Sequence, residues 1–174
     1  MRVDRASREA RGTRAGRVVV RRADEDDGNV SVGDLSLRGA IRLGNASSGP
    51  SLITFASSLF TGGPATITLG AKLPELLSDI TITGPSAAML TISGNDQFEF
   101  FNVPVTGVVA LNHLTLTHSV SAGPGIENFG ALFVNNSLLT ENANANSLIR
   151  SEFGGALWIT DSTLSRNQGN NGML

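Results

Sequence analysis

Eight acidic side chains lie beyond residue 70: Glu75, Asp79, Asp96, Glu99, Glu127, Glu141, Glu152 and Asp161. They are the carboxylates available to acid–base chemistry in this part of the chain. Three segments, ALNHLTLTHS (110–119), FVNNSLLTEN (133–142) and WITDSTLSRN (158–167), align without gaps. An earlier segment, SDITITGP (78–85), fits the same frame with Asp79 in the place of His113. In that frame Asp79, His113, Asn136 and Asp161 fall in one column. Cleaving a glycosidic bond takes two carboxylates facing each other across it. The column offers no carboxylate pair on adjacent repeats, since His113 and Asp161 stand two repeats apart, roughly 10 Å at parallel-strand spacing. Turn-forming polar residues account for it, with a catalytic or metal-binding role as the alternative. No catalytic residue and no metal ligand is assigned.

Other residues bear on binding. Asp24-Glu25-Asp26-Asp27-Gly28 would attract calcium, but it lacks the alternating ligand spacing of an EF-hand loop. A solvated turn is expected, and no cofactor is called for. Asn29, Asn45 and Asn135 each begin an Asn-x-Ser sequon. Asn142 and Asn167 share a repeat position just after a strand, where side-chain amides bond to their counterparts one repeat away. That ladder role is preferred to glycan attachment. Phe133 and Trp158 also share a position. If Leu132, Val134, Leu157 and Ile159 face inward, these two rings face outward on adjacent strands about 4.8 Å apart. They then offer a flat surface for a sugar ring or a partner. The alternative is that SVSAGPGIENFG or ENANANSLIRSEFGG folds over them.

The elements that would position these residues are short strands. Apolar and hydroxyl residues alternate in ITIT (80–83), LTIS (90–93) and LTLT (114–117), as in strands with one buried face. Ile80, Ile82, Leu90, Ile92, Leu114 and Leu116 point inward and the threonines outward. Gly-Pro, Gly-Asn and Gly-Pro-Gly punctuate them at 84–85, 94–95 and 123–125. Leu116, Leu139 and Leu164 recur at nearly equal intervals. A repeat of roughly 20–35 residues made of short strands without helices marks a β-solenoid, whose interior is a stack of like residues. Leu116, Leu139, Leu164, Ile80 and Ile82 are its expected core.

Charge divides the chain. Residues 1–22 hold eight Arg against Asp4 and Glu9, a net +6, and the remaining five basic and thirteen acidic side chains give −8. The acidic body is a poor match for nucleic-acid phosphates. Arg2, Arg5, Arg8, Arg11, Arg14 and Arg17 fall every third residue, which lines no single helix face. Residues 1–17 are read as a disordered basic leader, with a basic arm for nucleic acid or anionic membrane as the alternative, and 18–174 as the folded domain. The absence of Cys removes disulfides and thiolate chemistry. No run is long enough to span a membrane and no secretory signal is visible.

One resemblance brings these features together. VVVRRADEDDG (18–28) followed by LSLRGAI (35–41) resembles the N-terminal signature of right-handed parallel β-helix surface proteins, related in fold to pectate lyases and polymorphic outer-membrane proteins. In that CSLREA-type signature a strand and an acidic segment precede Cys-Ser-Leu-Arg-Glu-Ala-Ile. Ser36, Leu37, Arg38, Ala40 and Ile41 match; Leu35 replaces Cys and Gly39 replaces Glu. ITF (53–55), ITITGP, LTISGN and GGAL (154–157) are also similar to the family. The resemblance implies an all-β, right-handed parallel β-helix and leaves activity open, because such helices carry many functions.

Leu37, Ala40 and Ile41 have i, i+3, i+4 spacing, so 34–44 is expected as a capping helix over the first coil, N-capped by Asp34 or Ser36. Gly39 within it should cost about 1 kcal/mol relative to Ala. The chain stops at RNQGNNGML with no second cap in the pattern, which predicts a truncated C-terminal end that self-associates. The expected function is a non-enzymatic extracellular or bacterial cell-surface module with an adhesive or structural role, taking glycans or cell-surface partners through Phe133 and Trp158. The alternatives are a polysaccharide-active lyase or hydrolase, and a fragment of a longer surface protein.

Overall fold

The structure, a computed structural model, describes residues 14–25, 27–31, 33–120, 122–144, 146–170 and 174. The chain winds as a parallel β-solenoid of about five turns with one helix near its N-terminus. Its first face is a six-stranded sheet of Ala15–Val19, Ser51–Phe55, Asp79–Thr83, Val108–Asn112, Ala131–Asn135 and Ala156–Thr160, in that spatial order. The second face stacks Ala65–Thr68, Leu90–Ser93, Thr115–Thr117, Leu138–Thr140 and Thr163–Ser165. A third stacks Phe101–Val103, Ile126–Asn128 and Ile149–Ser151, and Ala143–Asn144 pairs with Gln168–Gly169. Every strand pairing is parallel.

The interior is a stack of aliphatic columns. Ile53, Ile82, Leu111 and Val134 follow one another in register on the first face and are fully buried. Ile67, Ile92, Leu116 and Leu139 do the same on the second. Ile80, Ile82, Leu116 and Leu139 are thus in the core as expected. Leu164 is only partly buried, as are Leu157 and Ile159, because no strand follows theirs among the described residues. The threonines do not all face water. Thr115 and Thr117 are buried, and Thr115 donates to Ala87 O at 2.7 Å, so the 84–89 turn lies over the second face.

The register corrects one column. Asp79 pairs with Val108, so Asp79 does not join His113, Asn136 and Asp161. Aligning Asp79 with His113 matched two alternating strands that lie on different faces, Asp79–Thr83 on the first and Thr115–Thr117 on the second. Gly84 occupies the position equivalent to His113: its N–H donates to Asn112 O, as His113 N–H does to Asn135 O and Asn136 N–H to Thr160 O. These are corner residues. His113, Asn136 and Asp161 have φ of 57, 50 and 48°, and at the next corner His118, Glu141 and Arg166 have φ of 55, 57 and 51°. Each short strand of the second face in these coils is therefore bracketed by two left-handed residues, a costly conformation for side chains other than Gly or Asn. The inter-coil hydrogen bonds at each corner offset that cost.

The N-terminal helix α1 runs Leu37–Asn45 and packs against the first three strands of the first face. Ser36 is its N-cap, with Oγ accepting from Gly39 N–H at 3.1 Å, and Leu37, Ala40 and Ile41 are fully buried. Asp34 instead pairs with Arg21 and accepts from Asn29. Asp24 departs from the solvated turn expected of the acidic run. Its carboxylate is buried and takes two hydrogen bonds from Arg38, Nε at 2.9 Å and Nη2 at 2.5 Å, and a third from Gly70 N–H at 3.0 Å. Arg38 also donates to Ala71 O and Lys72 O. The segments VVVRRADEDDG and LSLRGAI therefore meet as a buried ion pair that joins helix, acidic segment and the 70–72 loop. The first strand begins at Ala15, so residues 15–17 belong to the solenoid and not to a leader. Residues 1–13 lie outside the described residues.

Candidate functional site

Outward residues of the first face form columns set by the same register. One runs Leu52, Thr81, Ala110, Phe133, Trp158. Phe133 and Trp158 are stacked, with ring centroids 4.4 Å apart and planes within 5°. This separation is close to the spacing of parallel strands, so the rings overlap face to face along the solenoid axis. They do not lie side by side as a flat floor. One free aromatic face is left on the far side of Trp158, where no further strand stands among the described residues. Trp158 is 48% exposed. Within the two long segments, Ile126–Asn128 and Ile149–Ser151 are third-face strands.

Two residues along, the next outward column is polar. Asn112 Nδ2 donates to Thr83 Oγ1 at 3.2 Å, and Asn135 Nδ2 donates to Asn112 Oδ1 at 2.9 Å. Thr160 continues that column beside Trp158. An aromatic stack thus stands next to a row of amides and hydroxyls. A second ring pair escapes the sequence reading. Phe129 and Phe153 lie 5.9 Å apart at 32°, on the corner leading into the first face, and Phe153 is 84% exposed with φ of 52°. Its signal is the Phe-Gly that precedes both aromatic strands, in NFGAL and in FGGAL.

The remaining polar residues are engaged with one another. Asn142 Oδ1 accepts from Ser119 N–H at 2.9 Å, and its Nδ2 donates to Leu116 O at 3.1 Å and Asn167 Oδ1 at 2.9 Å. Asn167 Nδ2 donates to Leu139 O at 2.8 Å. This is the ladder expected at that repeat position. The sequon residues are bonded as well: Asn29 to Asp34, Asn45 to Glu75 O at 2.7 Å, and Asn135 within its column.

The acids are dispersed or neutralised. On the third face Arg150 pairs with Glu127 and lies 3.7 Å from Glu152, while Asn102 Nδ2 donates to Glu127 Oε2 at 3.1 Å. Lys72 sits 2.5 Å from Glu99, and Arg166 3.1 Å from Glu141. The bond to Glu99 raises the Lys72 pKa above 10.5; partial burial opposes the rise, and the charges of Glu99, Glu127 and Glu75 add to it. Glu127 likewise raises Arg150. Among the described residues no group of three His, Asp or Glu is placed to hold a metal ion, and no helix is long and apolar enough to cross a membrane. Compared with protein-family models, curated proteins and solved structures, the chain shows no significant match.

Proposed function

We propose that this chain is a non-enzymatic extracellular or cell-surface module that binds a glycan by stacking a sugar ring on Trp158. The observation that carries this reading is the open face of Trp158, backed by Phe133 and flanked by the Asn135 and Thr160 column. Sugar rings present apolar C–H faces and a rim of hydroxyls. An exposed indole beside amides and hydroxyls matches both, and a pre-stacked Trp is already ordered before the ligand arrives. The LSLRGAI segment is read as a CSLREA-type cap of a right-handed, pectate-lyase-like helix, supported by the pairing of Asp24 with Arg38. The test is a fluorescence titration of the only Trp with neutral and acidic oligosaccharides. A blue shift that saturates, and that Phe133→Ala weakens by several-fold, is expected. No saturable change with any glycan class would reject the reading.

The second reading is a polysaccharide lyase or hydrolase of the same fold. Glu99, Glu127, Arg150 and Glu152, grouped around the third face, favour it. Against it, each of these carboxylates lies against a cation and none faces another across an open groove. Release of new reducing ends or unsaturated products from polyuronates, lost in Glu127→Gln, would establish this reading in place of the first.

A further inference from the structure

A cavity lies at the N-terminal end of the described solenoid, far along the sheet from Trp158. It encloses about 510 Å³ and is walled by Val18, Val20, Val30, Leu35 and Leu43, with Arg17 as its one charged lining residue. That volume is in the range of small-molecule sites. Arg17 is out of place by every rule of this interior. It heads the inward column that continues Ile53, Ile82, Leu111, Val134, Ile159. Among the described residues its buried Nε finds no hydrogen-bond partner, and Nη1 donates to Gly16 O at 3.1 Å. The nearby acids are committed elsewhere, Asp24 to Arg38 and Asp34 to Arg21. Among the described residues no anion pairs with this partly buried guanidinium, whose Nε is shielded from water without gaining a partner.

The strand edge adds donors. Ala15 N–H donates to Pro50 O, and Val19 O accepts from Ala56 N–H, so the odd-numbered residues turn their backbone groups toward Ser51–Phe55. By alternation Gly16 and Val18 turn theirs to the opposite edge, and both line the cavity.

We propose that this cavity binds a monoanionic amphiphile, a carboxylate with an aliphatic tail. The carboxylate accepts from Arg17 and from the backbone N–H groups that Gly16 and Val18 turn to that edge, and the tail fills the valine and leucine walls. A single guanidinium and no second cation in the lining suit one negative charge better than a phosphate or a sulfated chain. The fork of donors on Arg17 fits the two oxygens of a carboxylate.

The test is calorimetry on the full chain with decanoate and, as the uncharged probe, decanol. Decanoate is expected to bind below about 1 mM. Arg17→Leu should weaken decanoate by about tenfold to a hundredfold while leaving decanol within a few-fold of the parent. Val30→Trp, a partly exposed wall position, should fill the cavity and abolish binding of both. Lack of decanoate binding by the parent chain, equal loss of both probes in Arg17→Leu, or full binding in Val30→Trp would each overturn the proposal. A chain that binds neither probe and that Arg17→Leu merely stabilises would mark Arg17 as a charge that guards the sheet edge.

Discussion

Asp24 and Arg38 show how much can rest on two side chains. The guanidinium serves one carboxylate and two carbonyls in a place where water does not reach. Asp24→Asn leaves Arg38 buried with no counter-charge and should cost about 3–5 kcal/mol, seen as a lowered urea midpoint. Arg38→Lys should not rescue function of the pair, because an ammonium cannot reach both oxygens and both carbonyls in one plane. A smaller effect belongs to Lys72. Its pKa is raised by folding, so its contribution to stability is complete below the unfolded value and disappears as pH climbs through the folded one, above 10.5. Glu99→Gln should lower that midpoint in an NMR titration, with little gain or loss of ion-pair stability because the Lys72 side chain is mostly exposed. Of these residues the aromatic pair was legible in the sequence, since equal repeat positions must be neighbours. The ion pair was not: an acidic run reads as solvated until the 70–72 loop and α1 are seen to close over Asp24.

At the scale of the elements, two glycines separate propensity from packing. In α1 a Cβ on Gly39 would lie 3.1 Å from Leu35 Cδ1, the end of a side chain that can shift. Gly39→Ala should therefore gain part of the roughly 1 kcal/mol that Ala offers a helix. At Gly130 the Cβ would run into the backbone carbonyl of Gly107 on the preceding coil, and backbone cannot yield. Gly130→Ala should be destabilising in the same urea assay, and equal effects at the two sites would contradict this account. The stacked leucines give a second contrast. Leu139 is fully buried and Leu164 only partly, so Leu139→Ala should cost about 2–5 kcal/mol and Leu164→Ala clearly less. Strand alternation and the even spacing of Leu116, Leu139 and Leu164 were readable because identical faces repeat identical residues. The step from Asp79 to His113 failed because ITIT and LTLT look alike on any face. Only hydrogen-bonded register distinguishes them.

Across the whole molecule, the two ends of the first face differ. Ala15–Val19 carries an inward arginine and lies beside α1. Ala156–Thr160 presents Leu157 and Ile159 half-covered and Trp158 open. Such an edge is a template for another chain. We expect the chain to self-associate with rising concentration, the Trp emission moving to the blue as it does. Ile159→Lys, an inward charge like Arg17, should suppress that association in sedimentation velocity. A monodisperse parent at high concentration with blue emission throughout would count against the open edge.

The corner hydrogen bonds have a mechanical consequence. Because each coil holds only its neighbours, a pulling force has no route by which to load the whole core at once. Held at the N-terminal end and stretched from the other, the chain should unzip coil by coil. The half-covered coil would go first, and the part closed by Asp24 and Arg38 last. One coil is the length of chain between strand partners, as from Phe133 to Trp158 or from Ala110 to Phe133. Each rupture should then release about 75–90 Å of slack at full extension. A force–extension trace would read as a staircase whose tread length reports the repeat.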